Sequence, residues 1–333
     1  MQHKIRWGIL GCGNIAAKFA ADLSFVEDAV VTSVASRSLD KAKAFAVRFG
    51  AAHAYGSYEE LARDPEVDVI YVATPHSHHY ENTLLCLNHD KATLCEKAFA
   101  LNSWQAHEMI DLAKKRKVFL MEALWTKFLP HYIKLQEILK AGTLGDITSV
   151  IVNFGFVPTP PVPARVFDPA LGGGTMLDIG IYNVFMAMSV LGRPDHIDAY
   201  MKPASTGIDA QCAVLFRYNN GSMAQLFSSF EANLAMEADI AGNKGRIRVT
   251  HRFYAPDTVI EYYSDKPDSL QVINVERETG GHGYEYEARH VGECLRKGLL
   301  ESPVMTHADT LMLMEVLDEI RRKAGIVYSA DKV

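Results

Sequence analysis

Several things are missing from this sequence, and each absence narrows what the chain can be. The five cysteines (Cys12, Cys86, Cys95, Cys212, Cys294) are odd in number, scattered, and include no Cys-x-x-Cys pair. That excludes a disulfide framework and points to reduced, partly buried thiols in a cytoplasmic protein. Long apolar runs are absent: stretches such as Val69–Ala73 are far too short to span a bilayer. Basic clusters are absent as well. A formal net charge of -6 with 22% charged residues gives no support to a nucleic-acid or membrane-surface partner. The N-terminus runs from Met1 directly into Ile5–Leu10, with no apolar leader followed by a small-residue cleavage site, so a secretory signal is not expected. Internal repeats and low-complexity tracts are not seen. What remains is 333 residues, 48% of them hydrophobic, enough for two domains with a core each.

The first ~120 residues alternate short β-branched runs with helical stretches, the pattern of a parallel sheet covered by helices. Strands are expected at Ile5–Leu10, Val30–Ala35, Val67–Ala73, Thr93–Cys95 and Val118–Met121. Helices are expected at Ile15–Phe25, Lys41–Phe49, His79–Asn88 and Ser103–Lys115, with Asp40 and Ser103 as N-caps. After Met121 the pattern changes. One helix, Pro130–Ala141, precedes strands at 147–156, 196–201, 211–218, 222–230, 236–241, 245–250, 258–263 and 270–275, with Asn219-Asn220-Gly221 as a hairpin turn. A further helix is expected near Met176–Leu191, and two close the chain at Tyr284–Lys297 and Ala308–Ala324. The fold class is therefore α/β: a doubly wound parallel sheet of the Rossmann type over residues 1–123, then an α+β domain with a large, mostly antiparallel open sheet over 124–333. Gln211–Tyr218 and Ser222–Phe230 are apolar at more positions than one helix layer can cover, so a homodimer through the sheet face is expected.

Gly11-Cys12-Gly13-Asn14-Ile15-Ala16 lies between a strand and a helix. Gly11 permits a tight turn, Gly13 lets the backbone approach a pyrophosphate, and Ala16 allows close helix–strand packing. The free N–H groups at the helix start then face phosphates. The next strand ends Ala35-Ser36-Arg37-Ser38, with no carboxylate to bind ribose hydroxyls. Arg37 can pair with a 2′-phosphate, and Ser36 and Ser38 can donate to it, which favours NADP.

Two further strand ends carry candidate chemistry. Thr74-Pro75-His76-Ser77-His78-His79 lies at the carboxyl edge where ligands of such sheets sit. No Cys, Asp or Glu at ligand spacing accompanies these histidines, so no metal is expected, and His78 with His79 reads as a helix start. Leu94-Cys95-Glu96-Lys97-Ala98 puts a lysine at the same edge, either near a reacting alkoxide or solvated and paired with Glu96. In the second domain, Gly172-Gly173-Gly174 leads to Asp178 and Tyr182, four apart and so on one face of an α-helix. A carboxylate and a phenol there can bind a polyol and move a proton, helped by an ammonium that lowers the phenol's pKa; each is also common as a plain structural residue.

In this order, the Gly-x-Gly-x-x-Ala turn, Thr74-Pro75…His79, Glu96-Lys97 and Gly173-Gly174…Asp178-x-x-x-Tyr182 resemble the glucose–fructose oxidoreductase/inositol dehydrogenase family over essentially the whole chain. Tyr55–Leu61, Met121–Phe128, Leu177–Tyr182, and Tyr286–Val291 with Glu293–Gly298, are similar to the branch active on dihydrodiols, which has Tyr where most of the family has His. The resemblance implies a Rossmann domain, a second domain whose open sheet mediates oligomerisation, and Lys97 with Tyr182 as the catalytic pair, meeting across the interdomain cleft. It implies cofactor contacts from Gly11, Gly13, Asn14, Ile15, Ser36, Arg37, Ser38, Thr74, Pro75, His79, Glu96 and Lys97. His76 and Asp178 orient substrate hydroxyls, and Trp125 and Phe154 wall the substrate. One departure is that the family writes Glu-Lys-Pro where this chain has Ala98. Without the proline a trans Lys97–Ala98 bond is expected.

The expected activity is hydride transfer between NADP and a carbinol carbon of a sugar, cyclic polyol or trans-dihydrodiol. A non-catalytic NADP sensor and an NAD enzyme on an aminated or phosphorylated sugar are the rivals. A phosphorylated substrate calls for an Arg/Lys cluster in the second domain, where only Arg165 is apparent.

Overall fold

Six short, largely buried parallel strands organise the first unit of the computed structural model, in which residues 4–266 and 269–332 are described. Along the chain they are β1 (Ile5–Leu10), α1 (Asn14–Asp22), β2 (Ala29–Ala35), α2 (Leu39–Phe49), β3 (His53–Tyr55), α3 (Tyr58–Ala62), β4 (Val69–Val72), α4 (His79–Asn88), β5 (Ala92–Glu96), α5 (Ser103–Arg116) and β6 (Leu120–Ala123). The sheet order β3-β2-β1-β4-β5-β6 reverses between β1 and β4, which puts the turn after β1 beside the loop after β4. β3 has only three half-buried residues, too few to show a period, and was not expected. Nor was α3, although Ser57 and Glu60 cap it reciprocally. The N-caps differ from those expected. Ser38, not Asp40, accepts the Lys41 N–H, and Asn102, not Ser103, accepts that of Gln105. In each case the capping oxygen is one that reaches an N–H three residues on.

The second unit begins with α6 (Pro130–Lys140). It continues through β7 (Ile147–Gly155), α7 (Ile181–Leu191), β8 (His196–Pro203), β9 (Asp209–Arg217), β10 (Met223–Ser229), β11 (Ala238–Gly242), β12 (Gly245–Thr250), β13 (Val259–Ser264) and β14 (Gln271–Ile273). These eight strands form one sheet, β14-β13-β12-β11-β7-β10-β9-β8, antiparallel except for β7 against β10. One face, with Val150, Val152, Phe154, Leu226, Val214 and Ile240, is buried. The other exposes Ile151, Tyr200 and Met223, alternating as a half-covered sheet does. Pro169–Leu191 is long and apolar enough to cross a membrane, which corrects the expectation that apolar runs stop near five residues. It is 72% buried within the protein, which fits a core helix.

The last helices are α8 (Tyr284–Arg296) and α9 (His307–Ala324). Glu278–Leu311 groups with the first unit, which runs to Phe128, while the chain from Met312 groups with Leu129–Arg277. The expected boundary at 123/124 is five residues short of that first division, and the return of 278–311 was not anticipated. Its cause is local. Buried Asp22, at the end of α1, accepts the N–H groups of His282 and Tyr284 at 2.8 and 2.9 Å, and Tyr284 stacks on Trp125 with ring centroids 4.5 Å apart. All five cysteines are buried free thiols.

Candidate active site

At the end of β1, Gly11 has φ 99°, and a Cβ there would meet the Ala73 carbonyl at 2.9 Å. Only glycine suits both the turn and the close approach to β4. Gly13 is the N-cap of α1, in an extended conformation, and no side chain caps the helix; a Cβ at Gly13 would meet nothing within 4 Å. The start of α1 thus has room beside Gly13 and no side-chain cap among the described residues, which suits the positive end of a helix that receives a dinucleotide pyrophosphate. Beyond β2, Ser36 is buried and Arg37 and Ser38 are exposed. Arg37's charge acts on the Tyr58 phenol, whose pKa is raised by burial against that cation. Lys41, a cation the sequence reading passed over, acts on the Cys12 thiol, which burial pushes up to about 11.

After β4, His79 is fully buried. Its ring nitrogens lie 2.7 Å from the Ala98 carbonyl and 2.8 Å from the Thr74 carbonyl. Burial, then the nearby His76, push its pKa down to about 3, so at neutral pH it is uncharged and donates to one of the two. Asn82 donates to the Thr74 hydroxyl at 3.1 Å. His76 sits edge-on to His79, centroids 5.6 Å apart. After β5, Glu96 accepts the Lys97 N–H at 3.1 Å and the Tyr71 hydroxyl, and Lys97 is half-buried. The Lys97–Ala98 peptide is cis, which corrects the expectation of a trans bond; Ala98 is fully buried with its carbonyl at His79. Glu287 of α8, also missed, is fully buried with no hydrogen-bond partner among the described residues; burial, with Glu96 and Asp22, holds its carboxyl well above the usual range.

In the second unit, Gly174 has φ 104°, and its missing Cβ makes room for Asp209. The Asp209 carboxylate accepts the Thr175 hydroxyl at 2.6 Å and the Met176 N–H at 2.7 Å, and burial pushes its pKa up to about 6. Met176–Gly180 is a π turn that leads into α7. Asp178 therefore lies in a π turn and Tyr182 in the α-helix that follows, rather than both in one α-helix as expected. Asp178 accepts from Arg165 at 3.0 Å. Tyr182 is buried beside Phe154 and Tyr254, with centroids at 5.9 and 5.1 Å, and Tyr254 stacks on Phe154 at 4.2 Å. Tyr254's pKa is raised by burial and by Asp178 and eased by Arg252, whose Nε donates to its hydroxyl at 3.2 Å. Tyr254 and Arg252 lie in a loop without periodicity, so no sequence signal marked them.

The expected residues thus fall into two sets. The first unit groups the phosphate turn, Arg37, Thr74, Pro75, His76, His79, Glu96 and Lys97, with Trp125 stacked on Tyr284. The second groups Phe154, Asp178 and Tyr182. Among the described residues no three His, Cys, Asp or Glu side chains cluster as metal ligands.

Comparison with known proteins agrees with this division. The oxidoreductase family with an NAD-binding Rossmann fold (Gfo/Idh/MocA) matches residues 5–124, and the C-terminal domain of the same family matches 132–248. The chain belongs to this family of oxidoreductases. It is 39% identical to a trans-1,2-dihydrobenzene-1,2-diol dehydrogenase of Xenopus tropicalis, over 97% of this chain and 99% of the relative. It is 37% identical to the human protein of that name, over 98% and 99%. A 3-ketoreductase from Actinomadura kijaniata, solved with NADP and TDP-benzene, superposes with a TM-score of 0.88 at 25% identity, over 97% of this chain and 98% of that one. The fold is shared with an aldose–aldose oxidoreductase from Caulobacter crescentus (TM-score 0.87, 22% identity, 97% and 98% covered).

Proposed function

We propose that this oxidoreductase transfers a hydride between the nicotinamide of NADP and a carbinol carbon of a sugar, cyclic polyol or trans-dihydrodiol. The observation that carries the cofactor choice is the end of β2: exposed Arg37 with Ser36 and Ser38, and no carboxylate where NAD-preferring sites put one. The NADP bound by the Actinomadura 3-ketoreductase supports it, and the names of the curated relatives support a vicinal diol as substrate. In this reading Tyr182 accepts the hydroxyl proton, and the Lys97 ammonium favours its phenolate form. Asp178 and His76 orient hydroxyls. Trp125, Phe154 and Tyr254 offer apolar faces to the carbon skeleton. Glu96 and His79 act on backbone and hold the Thr74 and Lys97 segments in place. The test is a panel of aldoses, inositols and trans-dihydrodiols with NADP⁺ and NAD⁺, followed by absorbance of the reduced cofactor. Turnover with NAD⁺ alone overturns the cofactor choice. No turnover with either, together with tight NADP binding, favours a sensor.

We also propose a homodimer through the open sheet face that exposes Ile151, Tyr200 and Met223, and a cytoplasmic location suited to five free thiols. Light scattering that gives a monomer mass at micromolar concentration removes the dimer.

A further inference from the structure

The loop between β12 and β13 is held by several hydrogen bonds and a buried side chain. Phe253 is fully buried, donates its N–H to the Met236 carbonyl at 3.1 Å, and has its own carbonyl 3.0 Å from His131 Nε2. The Thr258 hydroxyl reaches the Ala255 and Arg252 carbonyls at 2.7 and 3.0 Å. Within this frame His251 and Arg252 have φ 49° and 64°, a conformation non-glycine residues rarely adopt. Such residues persist where their surroundings over-determine them, and they cluster at ligand sites.

The loop delivers Arg252 to the aromatic group around Tyr182. Its Nε donates to the Tyr254 hydroxyl at 3.2 Å, its guanidinium carbon lies 5.6 Å from the Tyr254 ring centroid, and that ring is 5.1 Å from Tyr182. Every other described arginine of this unit pairs with a carboxylate. Among the described residues Arg252 has none. The one carboxylate nearby that acts on Tyr254, Asp178, is already answered by Arg165 at 3.0 Å. The charges around the candidate proton acceptor therefore leave one guanidinium over, exposed and with most of its donor fork uncommitted. A neutral diol needs hydroxyl partners, which Asp178 and the tyrosines supply. An unpaired fork matches two oxygens of an oxyanion.

We propose that Arg252 is an oxyanion-recognition residue of this site, so that the preferred substrate is a sugar carrying a carboxylate or phosphate away from the oxidised carbon. The proposal rests on the oxidoreductase reading given above for Tyr182.

The test compares D-glucuronate, D-glucose 6-phosphate and D-glucose as substrates with NADP⁺, for the wild type, Arg252→Gln and Arg252→Lys. The wild type is expected to show higher kcat/KM for at least one of the acids than for D-glucose, and which acid wins separates carboxylate from phosphate. Arg252→Gln is expected to lower the acid-to-neutral ratio roughly 10–100-fold, the scale of a charged hydrogen bond. Arg252→Lys, which keeps the charge without the fork, is expected to recover part of it. An unchanged ratio in Arg252→Gln overturns the proposal. Calorimetric titration of the full chain with D-glucuronate and with D-glucose 6-phosphate separates this failure from that of the proposed reaction. If no sugar is turned over, binding of either acid that weakens in Arg252→Gln and partly returns in Arg252→Lys still supports the site, and absence of binding to the wild type overturns it.

Discussion

Two helices of this chain start from glycine-bearing turns, and the protein treats their free N–H groups in opposite ways. At α1 the turn Gly11–Gly13 leaves the helix start uncapped, with open space where a Gly13 side chain would stand. At the turn Gly172–Gly174 the open position is filled from within: Asp209 takes the Thr175 hydroxyl and the Met176 N–H, and Tyr328 donates to the Gly173 carbonyl at 2.6 Å. A helix N-terminus that its own protein satisfies is a structural joint. One left unsatisfied is prepared for an anion. The closed turn supports Tyr182 and Asp178, the open one the cofactor side.

The comparison can be broken in four ways. The largest effect is expected where the closed turn presents its phenol. Tyr182→Phe should reduce turnover roughly 10²–10⁴-fold, the range for a lost acid–base group, with NADP affinity little altered. Lys97→Met should lose a comparable factor, and the double variant should be no worse than the poorer single. Steady-state kinetics that show additive, mild losses would separate the two residues.

Closing the open turn is the direct exchange. Gly13→Asp puts a carboxylate at the N-cap of α1, in a conformation aspartate favours there and with room for its side chain. NADP binding should weaken roughly 100-fold or more, through lost charged hydrogen bonds and added repulsion, while thermal stability holds. A titration showing unaltered NADP affinity would mean that phosphates do not sit at this turn.

The cap of the closed turn should reveal itself in pH dependence. Burial raises the Asp209 carboxyl from 3.8 to about 6 in the folded chain. A carboxyl shifted upward contributes stability that is complete below its unfolded pKa and lost as pH rises through its folded one. Between about pH 4 and 6.5 this site should therefore cost the wild type roughly 3 kcal/mol. Asp209→Asn, which keeps an acceptor but cannot ionise, should gain on the wild type across that window in denaturant unfolding. A constant difference from pH 4 to 8 would show that the carboxyl does not titrate there.

The smallest effect expected is a change of preference. Arg37→Asp should move the NADP-to-NAD affinity ratio toward NAD by roughly 10-fold or more, the worth of one charged hydrogen bond or greater. An unmoved ratio places the 2′-phosphate elsewhere.

Much of the fold was legible in the sequence because periodicity and turn chemistry are local. β1, β12 and α4 have the bounds their residue patterns mark, and Gly11-x-Gly13 announces its turn through a positive φ and a close approach that only glycine allows. The short β3 and α3, and the π turn under Asp178, carry too few residues to show a period. Trp125 is read as an aromatic wall from the sequence, yet its stacking on Tyr284 depends on a partner far along the chain. The site residues that escaped notice, Tyr254, Arg252, Asp209 and Glu287, share this feature: their environment is made by residues distant in sequence.

By itself, then, the sequence determined an α/β fold class and a Gly-x-Gly-x-x-Ala turn, with Arg37 rather than a carboxylate after the next strand. These are written in composition, spacing and backbone sterics within a few neighbouring residues. Only tertiary structure decided that 278–311 returns to the first unit, because Asp22 receives the start of α8. It likewise decided which glycine turn is open and which is closed by Asp209. Among the described residues, it left Arg252 alone among the arginines of its unit without a carboxylate. Charge balance and burial are sums over whatever packs around a group, and packing brings together residues that the order of the chain keeps apart.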